Sequence, residues 1–356
     1  MRIAQIIDSL EAGGAEKMAV NYANALVNHD FSALVTTRKE GNLKRFVHPD
    51  VEYLYLERKK TLDFQAVFRL RKFCVKNKIE FLHAHSSSFL VAILVKFTLP
   101  GIKIIWHDHD GLSEFLKDRK AFELKVASFL FNGIISVNNQ LKIWAQEKLN
   151  CKKVIYLPNF IQPESIQIME TNLHGNEGKR ILCLANLRPQ KNHSLLIDVA
   201  MKLQFSHPDW TLHLVGKDFS DDYSKDIKTA ISEKELTNTV FVYDTKNDIG
   251  NIISQSDICI LTSLTEGLPV SVLEYGYHKK PVVVTNVGEL PMLIQNNKNG
   301  IIVKSKDTEA FYNALVQLIE NDNLRQDLGD KLHDDIISGF SETAIISSFT
   351  TWLEKK

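Results

Sequence analysis

A chain of 356 residues, 44% hydrophobic and 24% charged, has the make-up of a globular protein with room for two ordinary domains. No run reaches the roughly 20 apolar residues of a membrane span, and Arg2 to Asp8 meets a charge too soon for a signal peptide. A cytoplasmic protein is therefore expected, with no nucleic-acid partner. Cys74, Cys151, Cys183 and Cys259 lack any metal-like spacing and read as buried thiols of a reducing compartment. The net charge of zero hides an asymmetry: residues 1–165 carry 24 Lys and Arg against 17 Asp and Glu, leaving 19 against 26 for the rest. A basic first half suits either a solvated surface or an anionic partner such as a lipid face.

In chain order, Ile3 to Ile7 is a buried-strand pattern that runs into Asp8-Ser9-Leu10-Glu11-Ala12-Gly13-Gly14-Ala15-Glu16. Met18, Ala19, Tyr22, Ala23 and Leu26 then recur at helical spacing. Gly13 and Gly14 allow close backbone approach to a phosphate or acceptor, or simply make a βα turn. The dinucleotide fingerprint G-x-G-x-x-G is missing, which argues against an NAD(P) enzyme. Further strands are predicted at 32–36, 51–56, 81–83, 103–106, 129–137 and 153–157, with helices between them. The helix over 63–78 sets Arg69, Arg71, Lys72, Lys76 and Lys78 beside Phe64, Val67, Phe68, Leu70 and Phe73. Membrane-surface helices and packed helices with a solvated basic face share that pattern.

Two histidine pairs stand at strand ends, His83-Ala84-His85 and His107-Asp108-His109-Asp110-Gly111. Alternate residues of an extended chain share a face, so each pair points at one spot. No spaced set of Cys, His or carboxylate ligands completes a zinc site, and no metal is predicted. His109, leading into the Asp110-Gly111 turn, is the residue expected to hydrogen-bond a substrate hydroxyl, with His107 in reserve. Structural satisfaction of all four histidines is the competing reading.

Pro158-Asn159 breaks the first sheet, and the polar stretch 162–179 reads as a linker. A new strand begins at Arg180-Ile181-Leu182-Cys183-Leu184-Ala185, followed by the loop Asn186-Leu187-Arg188-Pro189-Gln190-Lys191-Asn192. Arg188 and Lys191 are free to converge there and neutralise a leaving diphosphate. Strands follow at 210–215, ended by Gly216, and at 240–243, ended by Tyr243. The stretch Ser256 to Glu289 is strand, glycine-ended loop, helix and strand, one right-handed crossover of a parallel sheet. Glu266 lies in its loop, Pro269 in the first helical turn and Glu274 further into the helix. Carboxylate and helix N-terminus at the carboxyl edge of such a sheet suit a polyol attached to a phosphate. Helices close the chain at 308–321, 324–337 and 342–354.

The spacing Glu266-Gly267-Leu268-Pro269-Val270-Ser271-Val272-Leu273-Glu274 in this setting resembles retaining glycosyltransferases of the GT-B fold, glycosyltransferase family four. Leu187-Arg188-Pro189-Gln190-Lys191-Asn192 resembles the family's Arg-x-x-Lys-Asn loop, and Gly13-Gly14-Ala15-Glu16 its N-terminal glycine loop. The resemblance implies an α/β chain with two Rossmann-like β/α/β domains facing each other across a cleft. An acceptor-binding domain would span 1–162 and a donor-binding domain 163–340, with the helix at 341–356 crossing back to the first. Glu266 would hold sugar hydroxyls, Glu274 the ribose, Arg188 and Lys191 the diphosphate, and Gly14 the phosphates. His109 would touch the sugar. Gly13, His107, Gly216, Tyr243, Gly267, Leu268 and Pro269 complete the substrate-binding set. The chemistry implied is metal-independent transfer with retained configuration and no cofactor beyond the nucleoside-diphosphate sugar, UDP- or GDP-linked. The acceptor would be a glycan or lipid-linked, in bacterial surface polysaccharide synthesis at the inner membrane face. Two departures bear on the nucleotide: Asp218 replaces a glycine after Gly216, and Val242-Tyr243-Asp244-Thr245 lacks one. A sugar-nucleotide epimerase and a two-lobed ligand-binding protein are the alternatives.

Overall fold

The computed structural model describes residues 1–29, 31–110, 116, 119, 122–162 and 169–355. It divides into two compact units, the first built from Met1–Gln162 with Glu342–Lys356 and the second from Pro163–Ser341.

The first unit contains β1 (Arg2–Ser9), α1 (Gly14–Val27), β2 (Phe31–Lys39), β3 (Glu52–Tyr55), α2 (Phe64–Lys76), β4 (Phe81–His85) and α3 (Phe89–Thr98). It continues with β5 (Lys103–Asp108), α4 (Phe122–Ala127), β6 (Gly133–Ser136), α5 (Asn139–Lys148) and β7 (Val154–Tyr156). The strands pair in parallel in the order β3-β2-β1-β4-β5-β6-β7. Ala4 and Ile6 on one face of β1 and Ile3 and Ile7 on the other are all buried, as both faces of a helix-covered parallel sheet require. The strand expected from residue 129 starts only at Gly133, because Ser128–Leu130 turns as a short 3-10 helix. Phe129, 72% exposed, has no core position to fill as a central-strand residue would.

The second unit contains β8 (Arg180–Leu184), α6 (His193–Ser206), β9 (Thr211–Val215), α7 (Asp222–Glu233), β10 (Val240–Tyr243), α8 (Ile249–Ser254), β11 (Ile258–Leu261), α9 (Val270–Tyr277) and β12 (Val282–Thr285). It ends with α10 (Leu290–Leu293), β13 (Ile301–Val303), α11 (Thr308–Ile319) and α12 (Asp322–Gly339). Its parallel sheet runs β10-β9-β8-β11-β12-β13. Pro269 caps α9 from outside, one residue earlier than the expected first turn. Part of the stretch read as linker belongs to this unit: Asp248 accepts hydrogen bonds from the N–H groups of Glu170 and Thr171, and Leu173 is buried.

The last helix, α13 (Glu342–Glu354), packs on the first unit. Phe349, fully buried, stacks on His83 at 5.3 Å and meets Tyr22 edge-on at 5.2 Å. A Cβ on Gly133 would lie 2.5 Å from the Trp352 ring, so glycine is what lets β6 accept the helix.

Candidate active site

Each sheet reverses strand order once, at β1/β4 in the first unit and β8/β11 in the second. Loops leaving the carboxyl ends of strands at such a switch point form the ligand crevice of open α/β sheets. In the second unit those loops carry Arg188 and Lys191 after β8 and Glu266 after β11.

The two loops are fastened together. Leu264 N–H donates to the Gln190 carbonyl at 2.8 Å, and the Thr262 hydroxyl to the Lys191 carbonyl at 2.9 Å. Lys191 Nζ lies 2.5 Å from Glu266 Oε1, which also accepts from Ser263 Oγ at 2.5 Å. Glu266 is buried and Lys191 partly open, so the ammonium is held in place while keeping one side outward. Asn192, at φ 53°, turns the loop into α6 through the left-handed conformation that asparagine tolerates. Arg188 stacks on Phe219 at 4.4 Å, with Lys217 over the same ring at 5.2 Å. Arg188 and Lys217 thus share one ring, with Lys191 on the same loop as Arg188. Gly267, Leu268 and Pro269 form a buried turn. The turn rests against Gly288, where a Cβ would come within 2.0 Å of the Glu266 carbonyl oxygen and φ is +56°. Glu274 is half-buried on α9.

Two expected binding residues have structural work. Gly216 lets the end of β9 pass that of β8, since a Cβ there would lie 2.3 Å from the Ala185 carbonyl oxygen. The Tyr243 hydroxyl accepts from His174 N–H at 3.1 Å and is hydrogen-bonded to His213 Nδ1 at 3.2 Å, turning it toward its own unit's framework.

In the first unit the β4–β5 register sets His85 beside His107 and gathers all four histidines. His83 Nε2 and His107 Nδ1 are 3.2 Å apart, His85 Nδ1 and His109 Nε2 2.8 Å, and His85 Nε2 bonds to Gln5 at 2.9 Å. One nitrogen each of His83, His85 and His107 lies within 4.8 Å of the others, a spacing open to a metal ion as well as to hydrogen bonds. Burial drives His83 down to about 3 and His109 to about 3, with His85 and His107 also well below the usual imidazole value. The rings are therefore neutral near pH 7. His109 is the outermost, its ring covered by His85 and His107 but part of the residue open. Asp108 forms a two-pronged pair with Arg119 at 2.6 and 2.9 Å. Gly111 lies outside the described residues. Gly13 precedes α1 and Gly14 opens it, their N-terminal turn following the carboxyl end of β1.

Phe219 and Ser263 were not singled out from the sequence. Phe219 belongs to no charged or glycine pattern, and Ser263 is one polar residue of the glycine-ended loop; the fold sets them against Arg188 and Glu266.

Two parallel Rossmann-like sheets, each reversing strand order once, define the GT-B fold. Residues 164–333 match the family described as Glycosyl transferases group 1, and residues 12–165 match Glycosyltransferase Family 4. The chain belongs to this glycosyltransferase family. It is 22% identical over 352 residues to the UDP-Gal:alpha-D-GlcNAc-diphosphoundecaprenol alpha-1,3-galactosyltransferase of Escherichia coli, covering 92% of this chain and 90% of that one. The O-antigen biosynthesis glycosyltransferase WbnH of Escherichia coli is 27% identical over 316 residues, covering 86% and 87%. The Anabaena HepE structure in complex with UDP and glucose superposes with a TM-score of 0.81 at 18% identity over the full length of both chains.

Proposed function

We propose that this chain is a retaining glycosyltransferase that moves a sugar from a UDP-sugar to a lipid-linked glycan acceptor in bacterial surface polysaccharide synthesis. The observation that carries the reading is the Lys191–Glu266 pair at the switch point of the second sheet, flanked by Arg188. A carboxylate suited to sugar hydroxyls and an ammonium suited to a diphosphate are fixed side by side. Sugar and leaving group of a nucleotide sugar are likewise joined by one bond. The similarity to enzymes whose names carry UDP-galactose and O-antigen synthesis supports the same substrate classes.

In this reading Arg188 and Lys191 bind the diphosphate and stabilise the charge that develops as the glycosidic bond breaks. They supply that charge without a divalent metal. Glu266 orients sugar hydroxyls and Glu274 the ribose, while Gly267, Leu268 and Pro269 shape the turn beside them. From the first unit, His109 is assigned to the sugar and the Gly13-Gly14 turn to phosphate, with His107 backing His109. The leaving phosphate takes the acceptor proton on the same face, which retains configuration at the transferred carbon. The acceptor is a sugar joined through diphosphate to a polyprenol, the class named for the Escherichia coli relative.

Among the described residues no helix is long and apolar enough to cross a membrane. Peripheral contact with an anionic leaflet is proposed through α2, whose outward Phe64, Phe68 and Val75 are 68%, 60% and 52% exposed and interleaved with exposed Lys72 and Lys76.

The test is incubation with UDP-glucose, UDP-galactose and UDP-N-acetylglucosamine, with and without a diphosphoprenyl-sugar acceptor, read by product mass and anomeric NMR coupling. An acceptor-dependent product with the α configuration of the donor is expected. Inverted product refutes the retaining mechanism; an epimer or free UDP formed at full rate without acceptor refutes transfer.

A further inference from the structure

A second set of charged groups sits at the switch point of the first unit's sheet. Asp8 is next to last in β1, Arg38 next to last in β2, Arg58 lies three residues beyond β3, and Ser87 is in the turn that follows β4. Four neighbouring strands therefore deliver their carboxyl ends to one place. Asp8 Oδ1 accepts from the Thr37 hydroxyl and from Arg58 Nη2 at 3.3 Å, and Oδ2 accepts from Ser87 Oγ at 2.7 Å. Arg38 Nε stands 3.9 Å from the same carboxylate.

The Arg58 side chain is 1% exposed, yet among the described residues its Nε and Nη1 have no hydrogen-bond partner. A guanidinium carries five N–H donors in a fixed fork, and burying them unmet is costly. Asp8 meets only Nη2 of that fork, its other hydrogen bonds going to the Thr37 and Ser87 hydroxyls. Asp63, the other acid acting on Arg58, accepts the N–H groups of Ala66 and Lys59 at the start of α2. One carboxylate thus faces two guanidiniums, one buried with donors to spare and one 42% exposed at the entrance. The unmet donors call for a hydrogen-bond acceptor, and two guanidiniums against one carboxylate favour an anionic one.

We propose that Arg38 and Arg58 bind a phosphate oxyanion carried by the acceptor. This rests on the transferase reading above and adds where the acceptor's charged link docks. Ser87 and the Asp8 carboxylate position the two guanidiniums, and Arg38 admits the anion from the surface.

The test uses the full chain carrying Arg188→Ala and Lys191→Ala, so that the donor loops cannot supply the signal. Modification of Arg38 by phenylglyoxal is followed by peptide mass spectrometry, with exposed Arg45 as the internal control. Pyrophosphate and methyl phosphate are expected to slow modification of Arg38 at least fivefold and saturably, leaving Arg45 unchanged. Arg58→Lys, which keeps the charge but loses the fork, should weaken that protection about tenfold. In the otherwise unaltered enzyme, Arg38→Gln should raise the acceptor KM about tenfold and leave the donor KM alone. Protection by inorganic pyrophosphate with no change in acceptor KM would assign the site to a free anion and overturn the acceptor role. No protection by either phosphate overturns the site itself. Stabilisation of the unaltered chain by UDP, measured separately, reports on the transferase reading, so the two failures are distinguishable.

Discussion

Replacing Lys191 with alanine removes both the cation assigned to the diphosphate and the partner of a buried carboxylate. In the free protein the second effect shows first. Taking away one half of a fully buried ion pair costs roughly 3–5 kcal/mol, and the 22% exposure of Lys191 with retention of Ser263 on Glu266 brings this nearer about 1–2 kcal/mol. The effect on nucleotide is separable. UDP at 100 times its dissociation constant stabilises the wild type by about 2.7 kcal/mol. A charge-assisted hydrogen bond contributes roughly 1.5–3 kcal/mol, so the variant's affinity should fall about 10- to 150-fold. At the same UDP concentration the remaining stabilisation is then about 0.3–1.3 kcal/mol. Thermal unfolding of each protein with and without UDP measures the difference, every variant referred to its own ligand-free state. Glu266→Gln should leave most of the UDP effect in place, because the ammonium survives. Equal stabilisation of Lys191→Ala and wild type would refute the assignment of Lys191 to the diphosphate.

Gly288→Ala forces a methyl group against the Glu266 carbonyl in a left-handed backbone; a loss of about 2 kcal/mol or more is expected, together with weaker UDP stabilisation. Gly178→Ala, also at positive φ but with open space around it, should cost only about 1 kcal/mol and leave UDP binding untouched, and equal losses would show that crowding at Gly288 is irrelevant. Acid should destabilise the fold early. Burial holds His83, His109 and His213 to about 3 and His193 to about 4 in the folded state, whereas the unfolded chain takes up those protons near pH 6.5. Stability is therefore complete above about pH 6.5 and is lost as pH falls toward the folded-state values, so Tm should drop between pH 7 and 5.5. A flat Tm across that interval would refute it. Phe64→Ser with Phe68→Ser should abolish co-sedimentation with phosphatidylglycerol vesicles while leaving Tm within about 1 °C, both rings being surface residues. Unchanged sedimentation would remove α2 from the membrane contact.

The strands were legible wherever a short apolar run met a glycine or polar break, as at Ile3 to Ile7 or Ile258 to Leu261, because buried parallel strands need apolar residues on both faces. The Glu266 and Arg188–Lys191 loops were legible for a similar reason: each follows such a run directly. Residues 129–137 misled because Phe129 and Leu130 are apolar without lying in the sheet. The sharing of one face by His83 with His85 could be read from alternation. The union of that pair with His107 and His109 depends on the β4–β5 register, which no local pattern encodes. Arg58 was invisible for the same reason on a larger scale. It is one arginine in a basic stretch; its partner Asp8 lies on β1 and the Ser87 that holds Asp8 in the turn after β4, both brought beside it by the sheet order alone.

The return of α13 to the first unit makes that unit discontinuous, with Pro163–Ser341 placed inside its chain path. Tyr22 and His83 lie against Phe349, and the gap in β6 at Gly133 is filled by Trp352. During synthesis at roughly 5–20 residues per second, about 10–35 s separates the last of residues 1–162 from the first of α13. For that interval the histidine cluster has Tyr22 but not Phe349 against it, while the second sheet is able to form whole. The unit made first is thus the one finished last, and its core is where a translating ribosome would expose apolar surface longest.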